Sequence, residues 1–334
     1  MIILICKVSI KIICCVQSFV PHLLLGIRMN SSLHWLTYEQ LPKPVYSTPN
    51  VKIIKDSCSY DGKRITTFQL RYWRAIHAEV MTHRVFSRNA SSSRAIPVKT
   101  MLKQVWNDPA GPIHWGLNRP GMQAKVELSG WRKAAAKWLW RTAGKAACVF
   151  AWTLMKVGAH KQVANRLLEP WQYIHVVLTA TDFDNWEELR IHPDAQPEIQ
   201  HLATAMKHAR IMSNPTYMQE GQWHLPYVSI DDYLHLTGDH DHRVKVLKQV
   251  SAARCCRVSY LKHDGTAATT NEDIDLCRKL ASSRPIHASP FEHIATPCSV
   301  ADKSESGNFT GWRQYRKEIE KEILQEKAKE GQDV

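Results

Sequence analysis

From residue 51 the chain alternates apolar and polar positions, as strands do, and then changes period. VKIIK reads as a short strand, and Asp61-Gly62 is a hairpin-turn signal. ITTFQLRYW is a β-rich run that leads into AIHAEVMTHR. Residues 131–159 are rich in Ala, Trp, Leu and Lys and free of Pro, which predicts a long helix. Ala135, Trp138, Leu139, Ala146, Val149 and Phe150 are among its apolar positions, and the core is the default place for Trp131, Trp138, Trp140 and Trp152. Residues 197–212 predict another helix, with Asp194 near its start and Pro197 and Glu198 in its first turn. Ile199, Leu202, Met206 and Ala209 form its stripe. Residues 214–245 are turn-rich, 271–283 read as helical, and 314–330 read as a charged, exposed helix. Helices and short strands mix without a βαβ rhythm, which favours an α+β fold over a doubly wound sheet.

Residues 1–28 stand apart. They are apolar but divided by Lys7 and Lys11 and broken by Pro21, and no small-residue cleavage site follows a continuous apolar core. A non-native or disordered extension is expected there, with a membrane anchor as the lesser reading. Residues 29–310 are expected to form the main domain, in which 100–160 stand as an insertion, and 311–334 the charged C-terminal helix.

Composition narrows the classes. The chain has 334 residues, 44% hydrophobic and 22% charged, which are globular values that exclude wholesale disorder. Nine Cys with no C-x-x-C form neither a secreted disulfide framework nor a zinc ribbon. Reduced thiols in a cytoplasmic protein are expected. The net charge of +13 asks for an anionic partner: nucleic acid, a phosphorylated small molecule or a membrane surface. No block of Lys and Arg occurs, which weakens the nucleic-acid reading.

The richest candidate chemistry lies in THRVFSRNASSSR, 82–94. Arg84, Arg88 and Arg94 stand there with Ser87, Asn89, Ser91, Ser92 and Ser93, and no acid occurs between Glu79 and Asp108. Guanidinium forks and hydroxyls of this density suit a phosphate. A Ser-rich loop with solvated arginines is the equal alternative. HASPFEH, 287–293, bends at Pro290. His287, Ser289, Glu292 and His293 offer metal ligands or a hydrogen-bonding cluster, but a bend lacks the helical spacing of zinc motifs. No metal is expected. In LRIHPDAQPEI, 189–199, a lone Arg190 is more often a pairing or capping group than a catalytic one. The polar cluster HLTGDHDH, 235–242, reads as a solvated loop.

Taken together, these segments resemble the flavin-dependent thymidylate synthases, the ThyX family. Its signature runs R-H-R-x-x-S-x-N-x-x-S-x-R. His83, Arg84, Ser87, Asn89, Ser92 and Arg94 fall on it in register, while Thr82 replaces the first Arg and Ala90 the Glu often found after the Asn. NRLLEP, with Arg166, resembles the family's second arginine segment. NWEELRIHPDAQPEI resembles its L-R-x-x-x-x-A-Q-x-E-I run. CRVSY at 256–260 and HASPFEH resemble two segments that the family places before the signature. Here they follow it, which implies a circular permutation. The resemblance covers about half the chain, and 100–160 and 214–245 have no counterpart.

The resemblance implies a mixed fold, a central antiparallel sheet flanked by helices. It implies reductive methylation of dUMP to dTMP with FAD as cofactor and NADPH and methylenetetrahydrofolate as co-substrates. It assigns His83, Arg84, Asn185 and Ser289 to FAD, with Ser259, Glu292 and His287 as weaker contacts. Glu79, Ser92, Ser93 and Arg94 fall to dUMP, with Arg166 supplied by a neighbouring subunit. Arg190 holds the uracil ring and stabilises its ionised form, as the catalytic residue. A homotetramer is implied, without a stable nucleic-acid or membrane partner. The alternatives are a basic nucleic-acid-binding protein and a catalytically inactive relative of the family.

Overall fold

The structure, a computed structural model, describes residues 49–121, 123–258, 268–298 and 306–330. Ser259 and residues 1–28 lie outside them. Strands β1 (Asn50–Ser59) and β2 (Arg64–Trp73) pair antiparallel across the expected turn. Gly62 adopts φ +77° there, a conformation glycine takes without steric cost. The chain continues through a 3-10 turn into α1 (His77–Met81), β3 (Ser87–Ala90), α2 (Val98–Asn107) and the long α3 (Gly130–Lys156). The short α4 (Lys161–Ala164) and a 3-10 turn at Asn165–Trp171 lead to β4 (Tyr173–Ala180), α5 (Asp184–Ile191) and α6 (Pro197–Ile211). Next come β5 (Thr216–Met218), α7 (Ile230–Leu234), α8 (His240–Cys256) and α9 (Thr270–Ser282). A 3-10 turn at Ser289–His293, β6 (Ala295–Pro297), β7 (Trp312–Gln314) and α10 (Tyr315–Glu330) complete the described chain.

The main sheet has the order β3-β4-β2-β1-β5. Its first four strands pair antiparallel, but β5 runs parallel to β1, so the sheet is mixed rather than antiparallel throughout. The reason lies in the connection. β5 enters after α6 has crossed a sheet face, and a helical crossover returns the chain in the parallel sense.

Period-two alternation sends Phe68, Leu70 and Tyr72 of β2 to one face, with Val176, Leu178 and Ala180 of β4. Trp186 of α5 and Ile199, Leu202 and Met206 of α6 close over them, so the stripe expected of α6 is the core stripe. Each such side chain stabilises the fold by ~1.5–3 kcal/mol when fully buried. The opposite face is partly polar. Thr67 and Thr179 hydrogen-bond each other there, beneath Tyr227, Cys255 and His224.

Three expectations need correction. The long helix does not bury its tryptophans as a rule: Trp131 and Trp138 are exposed, and Gly144, Cys148 and Ala151 face the core. Gly144 belongs in mid-helix because a Cβ there would lie 3.0 Å from the Trp171 ring. The charged helix α10 is docked rather than free, with Tyr315 and Ile319 buried beside Phe291 and Leu280. The turn-rich reading of 214–245 missed β5, α7 and the start of α8, whose cap is Asp239, accepting from the His242 N–H.

Candidate active site

Arg190, in the last turn of α5, is held from three sides by the segment that follows β2. Its Nε donates to His83 Nε2 at 3.0 Å, its Nη1 to Glu79 Oε2 at 2.8 Å, and its Nη2 to Thr82 Oγ1 at 3.3 Å. The sequence places these residues over 100 positions apart; α1 and α5 bring them together. His83 turns inward, 6% exposed, with its ring stacked on Phe86 and edge-on to Trp186. Desolvation pushes its pKa below the ordinary histidine value, and Arg190 and Arg88 push it the same way, against a hydrogen bond with Asn185. His83 is therefore neutral. Because a guanidinium only donates, Nε2 must accept and the ring proton sits on Nδ1. The lone arginine is a pairing group: His83 and Thr82 belong to the signature, and Glu79, its ion-pair partner, stands just before it.

The signature itself divides. Arg88 folds back to donate to the carbonyls of Val80 and His83, which fixes the turn after α1. Asn89 donates to the Cys255 carbonyl at 3.2 Å, tying β3 to the end of α8. Ser93 is buried and bonded to Glu169, while Ser92 is exposed, its hydroxyl accepting from the Arg94 N–H. The Arg94 side chain points into an open cleft that it shares with Arg166, Gln162, Leu154, Val163 and Leu167. Arg166 and Arg94 of one chain line the same cleft. Arg166 also pairs with Glu169 at 2.7 Å. The side chains of Arg84, which is exposed, and Arg94 make no hydrogen bond or ion pair among the described residues.

HASPFEH packs against β3 and β4, so the two segments richest in candidate residues are neighbours in space. His287 and Ser289 are exposed, and Glu292 pairs with Arg316. His293 is buried and bonds Thr179 Oγ1 through Nδ1 at 2.8 Å. From there a buried chain runs to Thr67 Oγ1 at 2.7 Å, to His224 Nε2 at 2.8 Å and on to Ser57 Oγ at 2.9 Å. No sequence signal marked Thr67, Thr179 or His224. Just before Ser259, Val258 takes φ 60°, as does Tyr227, whose hydroxyl donates to the Val258 carbonyl and to Gln69. Left-handed backbone at two non-glycine residues stores strain of ~1–3 kcal/mol each. Among the described residues no group of three or more His, Cys, Asp or Glu is arranged to hold a metal.

This donor set can take two kinds of negative charge. The open guanidiniums of Arg84 and Arg94 can meet phosphate groups. The tethered Arg190 can meet partial charge on a ring. Arg84, His287 and Ser289 are exposed, and their side chains make no hydrogen bond among the described residues, so each could donate to the phosphates of a dinucleotide cofactor.

No protein-family model and no curated protein matches the chain. Among solved structures, a UMP/dUMP methylase, PolB from Streptomyces cacaoi bound with 5-Br UMP, is similar at 17% identity and TM-score 0.41, covering 51% of this chain and 92% of that one. Thymidylate Synthase X (ThyX) from Helicobacter pylori with FAD and dUMP is similar at 19% identity and TM-score 0.30, covering 44% of this chain and 67% of that one. At such scores these likenesses bear on neither the site nor its chemistry, which rest on the residues above.

Proposed function

We propose that the chain is a flavin-dependent thymidylate synthase, reductively methylating dUMP to dTMP, with its segments circularly permuted. One observation carries the reading. Arg190 bonds His83 and Glu79, so the family-like arginine segment and the signature form one cluster, as a shared site requires. The packing of HASPFEH on β3 supports the permutation, since a cofactor pocket drawn from both ends of the chain needs those ends adjacent.

Making carbon 5 of uracil nucleophilic requires negative charge to develop on the ring. A cysteine adduct is one route. Here burial pushes the thiols of Cys58, Cys148, Cys255 and Cys277 upward, Cys148 to about 12, so none of them is a ready thiolate. A fixed cation is the other route. Arg190, held by three partners, is preorganised to stabilise that charge. Arg94 and Arg166 take the phosphate, with Ser92 and Ser93 beside them. FAD is held by His83, Arg84, Asn185 and Ser289, with His287, Glu292 and Ser259 contributing. When bound, the reduced flavin supplies the hydride. NADPH and methylenetetrahydrofolate are the co-substrates.

The visible spectrum tests this reading. Purified protein is expected to show flavin absorption and to release FAD on denaturation. A colourless protein that takes up no added FAD would overturn the assignment.

A further inference from the structure

The long helix α3 packs inward through Gly144, Cys148 and Ala151, against α2 and the Asn165–Trp171 turn. Its outer side is apolar as well: Trp131 is 76% exposed, Trp138 48%, Leu139 54%, Phe150 65%, and Val157, just past its end, 73%. At 3.6 residues per turn this outer face has two edges. Trp131, Trp138 and Val149 line one, and Leu139, Phe150 and Val157 line the other, about 100° away around the axis. Small residues, among them Ala135, Thr142 and Ala146, lie between.

The charges on this helix are all of one sign and unevenly placed. Lys137, Arg141 and Lys145 follow one another just beyond the tryptophan edge, and Lys156 lies on it. Arg132 stands on the opposite edge, and all five are exposed. The stretch from Leu128 to Leu168 holds eight Lys and Arg and no Asp or Glu. An apolar face bordered by cations, with no acid among them, calls for a partner that is apolar and anionic at once.

We propose that this face docks on an anionic lipid surface, with α3 lying parallel to the membrane plane. This stands independently of the chemistry assigned above and departs from the expectation of no membrane partner. Charge complementarity selects the occupant. A second copy would set these cations against their own kind. A single nucleic-acid strand can stack on the two tryptophans beside the lysines, but it leaves Leu139, Phe150 and Val157 in water. A bilayer interface takes both edges. Aliphatic and Phe side chains enter the acyl boundary, Trp rings sit at headgroup level, and Lys and Arg stems reach up to the phosphates. It also adapts to the shallow row of small residues, since lipid needs no matching contour. At 27 residues, about 40 Å, α3 has a length common among helices that lie in the interface. It does not span: no described helix is long and apolar enough to cross a membrane. The apolar area is modest, so binding is reversible and needs both contributions, each Lys or Arg near the surface adding about fivefold.

Co-sedimentation of the full chain with phosphatidylcholine vesicles containing about one-third phosphatidylserine tests the proposal. Binding is expected at low salt, and should be at least about tenfold weaker on pure phosphatidylcholine or at about 0.5 M salt. Lys145→Gln with Lys156→Gln should weaken it about 25-fold, fivefold for each charge. Trp131→Ser with Phe150→Ser, one residue from each edge, should weaken it at least about tenfold. All four side chains belong to exposed residues, so both double variants should keep the native circular dichroism spectrum and urea midpoint. Vesicles with brominated acyl chains should quench tryptophan emission, and less so in Trp131→Phe with Trp138→Phe. No vesicle binding at low salt overturns the proposal, whether the face then takes an oligonucleotide, a second copy or nothing. Binding that both double variants leave unchanged also overturns it, because it belongs to another segment, such as the apolar residues 1–28.

Discussion

Thr179 links Thr67 to His293 in the buried chain that anchors the Ser289–His293 turn to the sheet. Its hydroxyl bonds Thr67 Oγ1 at 2.7 Å and His293 Nδ1 at 2.8 Å, and all three residues are fully buried. Thr179→Val keeps the shape and removes both bonds. Thr67 retains His224 as a partner. His293 does not fare so well, because its Nε2 already lacks a partner and the imidazole would then make no side-chain hydrogen bond. Leaving a buried polar group unsatisfied costs ~1–3 kcal/mol, and losing the Thr67 bond costs a further ~0.5–1.5 kcal/mol. The expected loss is thus about 2–4 kcal/mol, a large share of the ~5–15 kcal/mol that stabilises a typical protein. Urea unfolding should show a lower midpoint with an unchanged slope. In a double-mutant cycle, His293→Leu should cost less in the Thr179→Val background than in the native chain, since the partner is already gone. A loss below about 0.5 kcal/mol, less than the cost of one ordinary hydrogen bond, or strict additivity in the cycle, would refute the idea that this chain holds the turn.

The remaining predictions concern the arginines and acid. Arg190→Ala should lower thymidylate turnover by about 100- to 1000-fold, as loss of a preorganised donor does; unchanged turnover would move the catalytic assignment elsewhere. Arg94→Ala should mainly raise the Kd for dUMP with kcat nearly kept, because phosphate contacts are alike in ground and transition states; a selective loss of kcat would contradict that role. His224 and His293 are held neutral by burial, His293 down to about 3. The unfolded chain protonates them near pH ~6.5 while the folded one does not, so their contribution is intact above that pH. It falls as pH drops toward 3, by up to ~1.4 kcal/mol per pH unit for each histidine. Urea midpoints that stay level from pH 7 to about pH 5 would show that these imidazoles do not titrate on unfolding.

Much of the fold follows from periodicity, and the failures have physical causes. The β1–β2 hairpin and α6 were legible because each has one dry face and a clear turn or cap. β4 escaped notice because YIHVVLTA is buried on both faces and shows no alternation. In α8, Val250, Ser251, Ala252, Ala253, Arg254 and Cys255 are all buried, so no stripe exists to be seen. Arg254 is tolerated there because Asp232, Asp273 and the Tyr227 carbonyl satisfy its guanidinium. In α3 the sequence showed apolar positions but not which of two faces was the core; Gly144 against Trp171 decides that, and the contact is long-range. Within the candidate site, the motif residues were legible one by one. The role of Arg88 as a backbone clamp was not, nor was the histidine–threonine chain, since both depend on which strands become neighbours.

The arginines of the site differ in what they are free to do. Arg190 is paired with the Glu79 carboxylate, so the pair carries no net charge and attracts little at a distance. Its value to a ligand is directional, through donors already fixed in place, and fixed donors cost no reorganisation when charge develops. Arg84 and Arg94 are the reverse: exposed and uncompensated among the described residues. Their attraction reaches about a Debye length, and a guanidinium with no partner can offer its whole fork to a phosphate that presents several equivalent oxygens. A nucleotide monophosphate has both kinds of demand, a doubly charged end that can be steered and a nearly neutral ring that must be oriented. Arg166, partly neutralised by Glu169, stands between the two types. In the proposed reading, capture thus falls to the cleft of Arg94 and Arg166 and orientation to the Arg190 cluster.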